Sequence, residues 1–384
     1  MTDALRRARA LLSEHPLVDG HNDLPWTIRV SRVSEGDLDR YDLNAAPPPG
    51  HTDLPRLRAG RVGGQFWSVY VPGEAGTGLA RMQLEQIDLA RRMIARFPAD
   101  LEPCWTADEV ERAFAAGRIG SLLGMEGGHV LEGSLGTLRA FRELGARYLT
   151  LTHNTANELA DSATAEPLHG GLSPFGRQVV AEMNRLGMLV DLSHVAPSSM
   201  ADALDASAAP VVFSHSSARA LCDVPRNVPD DILARVRANG GVVMVTFVAG
   251  FVSPEAAAVL MPAIAEFGRR ARGITDPVQL RRIREEIVDG LDVPRPPIAA
   301  VADHVEHVAR VAGRAHVGIG SDFDGNTFWP IGLDDVSCFP NLFAELIERG
   351  WSDDDLAALA GGNVLRAMRD AEAVATAPAP ALRR

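Results

Sequence analysis

Histidine and carboxylate side chains follow several short hydrophobic runs of this chain. His21 and Asp23 close the run that begins at Leu17, and His194 and His215 each close a later run. Residues i and i+2 of an extended strand end point to the same side, so His21 and Asp23 can bind one cation together. His194 and His215 are 21 residues apart, about one strand–helix unit, which predicts neighbouring strands and a second shared cation. A single histidine at a strand end is usually structural, but this combination favours a metal site.

Glu126 is the predicted bridge between the two cations. It ends a hydrophobic run that breaks into Gly127 and Gly128, small residues that let a cation and a substrate approach. All 38 basic side chains are arginine. The absence of lysine excludes a carbamylated lysine as the bridge, and it also excludes Schiff-base and P-loop chemistry. A carboxylate bridge follows, although a role for Glu126 as a helix cap or loop residue stays open. His129 is a weaker candidate, expected to support the ligands from behind.

Three further residues are candidates for proton transfer and substrate binding. His153 ends a hydrophobic run and is expected to contact the substrate as a hydrogen-bond donor to a developing oxyanion. Asp322 follows the last run and is the predicted general acid and base, facing the substrate. Asp324, directly before Gly325, is expected to form a turn. Arg226 lies in a proline-stiffened loop and suits the capture of a substrate carboxylate.

These side chains need a scaffold that brings many segments to one face. Eight short, largely apolar runs are typical of strands buried on both faces. They are Leu17–Asp19, Gly64–Val71, Ile119–Met125, Arg147–Thr152, Met188–Ser193, Pro210–Ser214, Gly241–Phe247 and His316–Gly320. Helical patterns separate them, at Arg81–Arg96, Ala107–Ala116, Leu135–Leu144, Pro174–Leu186, Pro197–Ala206, Asp230–Asn239, Ala299–Val311 and Pro340–Arg349. This alternation predicts an α/β fold, a (β/α)8 TIM barrel of the metal-dependent hydrolase type.

The chain is expected to form one catalytic barrel domain over residues 1–384. Two loop insertions are predicted: an irregular one at about residues 31–60, and one with helices of its own at about 251–297. Both fall where loops cover the active site of a barrel. Residues 371–384, rich in alanine and proline, are expected to form a flexible tail.

Composition limits the partners and the location. The net charge of −12 argues against binding nucleic acid or an anionic membrane. No run approaches the ~20 apolar residues of a transmembrane helix. The three cysteines are widely spaced, with no Cys-x-x-Cys pattern, which fits a reducing compartment. We therefore expect a cytoplasmic protein without nucleic-acid or membrane partners, and a homodimer is one assembly that the sequence allows.

The order of these motifs resembles that of the membrane (renal) dipeptidase family, peptidase family M19 of the amidohydrolase superfamily. The resemblance spans about Leu17 to Asn363. It is carried by His21-Asn-Asp23, Gly124-Met-Glu126-Gly127, Leu151-Thr-His153-Asn154, Gly171-Leu-Ser-Pro-Phe-Gly176, Asp191-Leu-Ser-His194, Ser214-His-Ser216, Pro225-Arg-Asn-Val-Pro-Asp230 and Gly320-Ser-Asp-Phe-Asp-Gly325.

The resemblance implies a zinc-dependent dipeptidase that tolerates a D-residue at the C-terminal position of its substrate. It implies two Zn²⁺ per chain, bridged by Glu126 and a hydroxide. One zinc would be held by His21 and Asp23, and the other by His194 and His215. The same resemblance implies that His153 and Arg226 bind the substrate and that Asp322 is the catalytic carboxylate.

The chain also departs from the family, and two alternatives stay open. Mammalian members carry secretion and lipid-anchor signals and disulfides that we do not find here, and Phe251 stands where they place a pocket tyrosine. Another dinuclear amidohydrolase, such as a lactonase or deaminase, would be indifferent to a free substrate carboxylate. A non-catalytic barrel that only binds its ligand would tolerate the loss of Asp322.

Overall fold

The computed structural model describes residues 2–44 and 50–377 and contains one parallel sheet of nine strands. The strands are β1, Leu17–Asn22; β2, Val62–Ser68; β3, Leu101–Pro103; β4, Ile119–Glu126; β5, Ala146–Thr150; β6, Leu189–Asp191; β7, Val211–Phe213; β8, Val242–Val245; and β9, Val317–Ile319. The sheet runs β2-β1-β9-β8-β7-β6-β5-β4, and a pairing between β2 and β4 closes it into a barrel. The predicted (β/α)8 barrel is therefore confirmed.

The eight predicted strands are all present, and a short ninth one was missed. β3 is a three-residue segment that ends in Pro103 and pairs with the first half of β4, while β5 pairs with the second half of the same edge. So short a strand, with a residue that cannot donate to the ladder, gives almost no sequence signal. The strands of the barrel are buried along their whole length, as their apolar composition predicted.

Helices surround the barrel and fill the insertions. Those in the described residues are α1, Asp3–Glu14; α2, Leu24–Val30; α3, Leu54–Ala59; α4, Leu79–Arg96; α5, Ala107–Ala115; α6, Leu135–Glu143; α7, Pro174–Leu186; α8, Pro197–Ala206; α9, Asp230–Asn239; α10, Ala249–Val252; α11, Pro254–Ala271; α12, Pro277–Val288; α13, Ile298–Val311; α14, Phe339–Glu348; α15, Asp353–Ala357; and α16, Asn363–Val374. In the part of the chain that the structure covers, no helix combines the length and apolar character needed to cross a membrane.

Helix boundaries follow their capping residues. In α7 the Ser173 hydroxyl accepts a hydrogen bond from the backbone of Gly176, Pro174 is the first helical residue, and Gly187 ends the helix with a positive φ. A reciprocal capping box between Thr106 and Glu109 starts α5. The predicted bounds of α7, α8 and α9 are those observed.

The insertions and the tail differ in part from expectation. The first insertion is not irregular throughout, because Asp53 caps α3 near its end. The second carries α11 and α12, which pack against each other, so helices of its own were correctly predicted there. The flexible tail was predicted to start too early: α16 continues to Val374, and Ala371 is buried against the barrel. Residues 45–49 of the first insertion and 378–384 of the tail lie outside the described residues.

Candidate metal centre and substrate pocket

The five predicted metal ligands meet at the carboxyl end of the barrel. His21 is the next-to-last residue of β1, and Asp23 follows that strand. Glu126 is the final residue of β4, and His194 and His215 follow β6 and β7. All five are buried. The strand ends fix these positions, since parallel strands all present their carboxyl ends to one face of a barrel.

Glu126 stands at the centre of this group, and its two carboxylate oxygens face different partners. Oε2 lies 3.5 Å from Nε2 of His21. Oε1 lies 3.0 Å from Nε2 of His194 and 3.4 Å from Nε2 of His215. The same Nε2 of His21 also lies 3.3 Å from Oδ2 of Asp23. One carboxylate thus separates a His–Asp pair from a His–His pair.

The donor atoms of this group fit metal ions. Among the described residues, the buried Nε2 of His21 and Oδ1 of Asp23 have no hydrogen-bond partner, although burying such groups uncompensated is costly. Burial lowers the pKa of His194 and His215 well below its ordinary value, which leaves the neutral imidazole that binds metal. Burial would raise the pKa of Glu126, but His21 and other nearby imidazoles hold it well below its usual range. Imidazole and carboxylate donors of this kind suit zinc and related cations.

Side chains behind two of the histidines fix how their rings are oriented. The Tyr148 hydroxyl donates to the carbonyl of Gly20 (3.2 Å), so its oxygen is left to accept from Nδ1–H of His21 (2.9 Å). The Ser214 hydroxyl donates to Asp191 (2.6 Å) and lies 2.8 Å from Nδ1 of His215. In both rings the Nε2 lone pair therefore points to the centre, as metal-binding histidines require.

A buried carboxylate also ties the first strand to the last. Asp19 of β1 accepts hydrogen bonds from the backbone N–H (2.6 Å) and the hydroxyl (2.7 Å) of Ser321, and from the Gln65 amide (3.0 Å). Burial raises the pKa of Asp19 to about 6 even though these donors lower it. The position of the loop after β9 is thereby fixed beside His21.

Asp322 and His153 border the same centre. Asp322 accepts a hydrogen bond from the Asn326 amide (2.9 Å), and its own N–H donates to the carbonyl of His21 (3.0 Å). Its carboxylate groups with His21 and Asp23, with all three ligand atoms within 4.8 Å of one another. Burial raises the pKa of Asp322 well above its ordinary value. The imidazole of His153 lies 4.0 Å from Glu126, and burial lowers its pKa to about 4, so the ring is neutral at physiological pH.

Asp324 and His129 take up positions outside the centre. Asp324 has a positive φ of 64° and accepts a hydrogen bond from the backbone of His51 (2.9 Å), in keeping with the turn predicted there. Nε2–H of His129 donates to the carbonyl of Val71 (2.8 Å). It belongs to none of the ligand groups around Glu126 in the described residues.

Arg226 reaches the pocket from the loop after β7. It is 2% exposed and donates to the Ser216 hydroxyl (3.3 Å) and the carbonyl of His215 (3.1 Å). Its guanidinium lies 5.1 Å from the centre of the Phe251 ring. Burial lowers its pKa to about 10, so it stays charged near neutral pH. No carboxylate of the described residues forms an ion pair with it, which leaves its charge available to a ligand.

These groups line one open cavity of about 1380 Å³, its mouth included. Among the lining residues that were missed from the sequence are Tyr70, Arg284 and Asn326. Tyr70 lies two residues past the end of β2, so the same search at strand ends could have found it. Arg284 lies on α12, and nothing local in the sequence indicates that this helix covers the mouth.

A closed parallel barrel with imidazoles and carboxylates at its strand ends defines a metal-dependent hydrolase of the barrel type. The family model of the membrane dipeptidases, peptidase family M19, matches residues 5–380. The chain belongs to this family.

Individual relatives agree with this assignment. The chain is 42% identical over 388 residues to dipeptidase aclJ of Aspergillus oryzae, covering 97% of this chain and 82% of that protein. It is similar to the solved structure of the probable dipeptidase PvdM from Pseudomonas aeruginosa, with a TM-score of 0.82, 25% identity, and coverage of 97% and 99% of the two chains. A metallopeptidase of Rhodobacter sphaeroides, solved with a phosphinate mimic of L-Ala-D-Ala, matches with a TM-score of 0.74, 25% identity, and coverage of 93% and 99%. The protein is a metallo-dipeptidase, a metal-dependent hydrolase that acts on dipeptides.

Proposed function

We propose that this dipeptidase uses two zinc ions, one held by His21 and Asp23 and the other by His194 and His215, with Glu126 shared between them. The proposal rests on the position of the Glu126 carboxylate. Its Oε2 faces His21, and its Oε1 faces His194 and His215. Five donors are more than one tetrahedral catalytic zinc with an open position can use.

Three side chains around the metals act on the dipeptide, by proton transfer, oxyanion stabilisation and carboxylate binding. When bound, the zinc ions supply a water acidic enough to lose a proton near neutral pH and polarise the scissile carbonyl. Asp322 accepts the proton of the attacking water and returns it to the departing amine. His153, neutral because of its burial, donates a hydrogen bond to the developing oxyanion. Arg226 holds the free C-terminal carboxylate, which restricts the substrate to dipeptides.

We also propose that the second residue of the substrate can have the D configuration. Support comes from the Rhodobacter sphaeroides metallopeptidase, whose structure holds a mimic of L-Ala-D-Ala. Hydrolysis of L-Ala-D-Ala and L-Ala-L-Ala by the zinc-loaded protein, compared under one set of conditions, tests this point. Hydrolysis of the L-L form alone would overturn it.

Arg226 provides the sharpest test of the dipeptidase mechanism. Replacing Arg226 by Met should cost about 2–5 kcal/mol of transition-state binding on a free dipeptide, since a buried charged pair is lost. The native enzyme should discriminate strongly against the same dipeptide with an amidated C-terminus, and Arg226→Met should discriminate much less. Arg219→Met is the matched control, because Arg219 lies in the same loop but pairs with the exposed Asp223 at 3.0 Å.

Equal kcat/KM values for free and amidated dipeptides in the native enzyme would reject this role of Arg226. That result would favour the alternative of a lactonase or deaminase, which has no need of a cation for a terminal carboxylate. Binding of dipeptides without any turnover would instead favour a barrel that only binds its ligand.

The location and assembly of the protein remain proposals as well. The three cysteines are free of disulfides, which supports a reducing, cytoplasmic compartment. Fractionation of the producing cells would test that location, and light scattering of the purified protein would test the homodimer.

A further inference from the structure

Arg284 brings a second guanidinium to the pocket from a direction different from that of Arg226. It lies on α12 in the second insertion, and it donates to the carbonyl of Gly325 (2.8 Å) in the loop after β9. Arg226, by contrast, donates to the carbonyl of His215 after β7. Strand β8 lies between β9 and β7 in the barrel, so the two guanidinium groups approach different parts of the pocket mouth.

The guanidinium of Arg284 has no ion-pair partner among the described residues. No carboxylate of the described residues lies within ion-pair distance of it, although it lines the pocket. Its neighbour Arg281, one helical turn earlier and also lining the pocket, donates to the carbonyl of Val30 (2.6 Å) and faces Glu285 at 3.5 Å. Of the two pocket arginines on α12, only Arg284 therefore presents a charge without a carboxylate partner.

The surface beside Arg284 is apolar. Trp26 and Leu280 pack together there with Phe267 and Tyr70 at their edge, and the rings of Trp26 and Tyr70 meet edge to face with centroids 5.1 Å apart. Such a wall suits the methylene groups of a side chain, and the guanidinium at its end suits a carboxylate. Together they match an acidic side chain that has an aliphatic stem.

The position of Arg284 indicates which substrate residue it meets. This step rests on the proposed function, in which Arg226 takes the C-terminal carboxylate. The scissile carbonyl then lies over the metal ligands, and the first residue of the dipeptide extends past them, away from Arg226. Arg284 donates to the carbonyl of Gly325, and a Cβ on Gly325 would lie only 2.1 Å from Oδ1 of Asp322 and 2.3 Å from Oδ2 of Asp23. Arg284 is therefore on the Asp23 and Asp322 side of the pocket, where the side chain of the first residue points to it.

We propose that Arg284 is a specificity-determining residue and that the enzyme prefers dipeptides whose first residue is acidic, with glutamate as the best fit. The guanidinium of Arg284 pairs with the side-chain carboxylate, and the wall formed by Trp26 and Leu280 packs on the methylene groups. The chemistry at the metal centre is unchanged by this recognition.

The test compares L-Glu-L-Ala, L-Gln-L-Ala and L-Leu-L-Ala by kcat/KM. Glutamate and glutamine have nearly the same shape, so their ratio isolates the charge. The native enzyme should favour the Glu over the Gln dipeptide by about 10- to 100-fold, the value of a hydrogen bond to a charged group. Arg284→Met should bring that ratio close to one, and Arg284→Lys should give an intermediate ratio because it keeps a cation on an aliphatic stem. Arg281→Met is the matched control and should keep the native ratio within about twofold.

Every outcome of this comparison either supports or contradicts the role of Arg284. A native Glu/Gln ratio near one overturns the proposal without any variant, and so does an Arg284→Met enzyme that keeps the native ratio while losing activity on all three dipeptides. If the Met variant does not fold, Arg284→Lys decides, since a ratio equal to that of the native enzyme also overturns it. Turnover of none of the three dipeptides would reject the proposed function, whereas turnover of the Gln and Leu dipeptides without a Glu preference rejects only the role of Arg284.

Discussion

The hydroxyl of Tyr148 should control how tightly the first zinc site holds its metal. Tyr148→Phe removes the oxygen that accepts from Nδ1–H of His21 and that donates to the carbonyl of Gly20. The ring of phenylalanine fills the same space, so packing is preserved. His21 then loses the contact that fixes its tautomer and its orientation.

The magnitude follows from the burial of these groups. His21 and Gly20 are buried, so the variant leaves a donor and an acceptor without partners, at a cost of about 1–3 kcal/mol. Loss of such a contact behind a metal ligand typically weakens metal binding about 10- to 100-fold. The two figures agree, because a tenfold change corresponds to about 1.4 kcal/mol.

Competition of the metal-free protein with a chromophoric zinc chelator measures this effect. Tyr148→Phe should raise the dissociation constant of one zinc by about 10- to 100-fold and affect the other much less. Tyr41→Phe is the matched control, because the Tyr41 hydroxyl is equally buried but has no hydrogen-bond partner in the part of the chain that the structure describes. Zinc dissociation constants of Tyr148→Phe that equal those of Tyr41→Phe would refute the argument.

Three further predictions concern single carboxylates. Asp322→Asn should keep both metals and lose about 10²- to 10⁴-fold in kcat, measured with Asp324→Asn as the control; a larger loss in the control would reverse the two assignments. Glu126→Gln should weaken both zinc sites together, and metal analysis showing one unchanged tight ion would contradict the shared ligand. Glu74 is buried, and neither of its carboxylate oxygens has a hydrogen-bond partner among the residues described, so burial raises its pKa. Native stability is therefore lost as the pH rises from the unfolded-state pKa of Glu74 to its higher folded-state pKa. The free energy of unfolding of Glu74→Gln, relative to native, should increase between pH 4 and 8 in denaturant titrations, and a constant difference would count against this.

The predictable part of the site is the part that strand ends define. Every predicted metal ligand lies within three residues of a strand's carboxyl end, because one local rule, an apolar run followed by a metal-binding side chain, describes them all. Asp322 and His153 obey the same rule. The barrel itself was predictable for a similar reason, since its strands are largely apolar and caps such as Ser173 delimit the helices between them.

The features of the fold and site that could not be predicted depend on contacts between residues distant in sequence. The position of α12 over the mouth follows from packing against α2 and α11, and nothing within the helix distinguishes Arg284 from Arg281. The role of Tyr148 is hidden because it is an ordinary residue of a buried strand until its hydroxyl meets His21, 127 residues earlier. The late end of α16 likewise follows from burial of Ala371 against the barrel rather than from the composition of the tail.

The hydrogen bonds between Asp19 and Ser321 join residues 302 positions apart. During synthesis, a ribosome must therefore add most of the chain before β1 can meet its final neighbour β9. Until then Asp19 has none of its Ser321 donors, and His21 stands apart from Asp322. The five proposed metal ligands lie between residues 21 and 215, but the barrel that fixes their positions closes only when β9 pairs with β1. Tight metal binding therefore depends on a strand that contributes none of the five ligands.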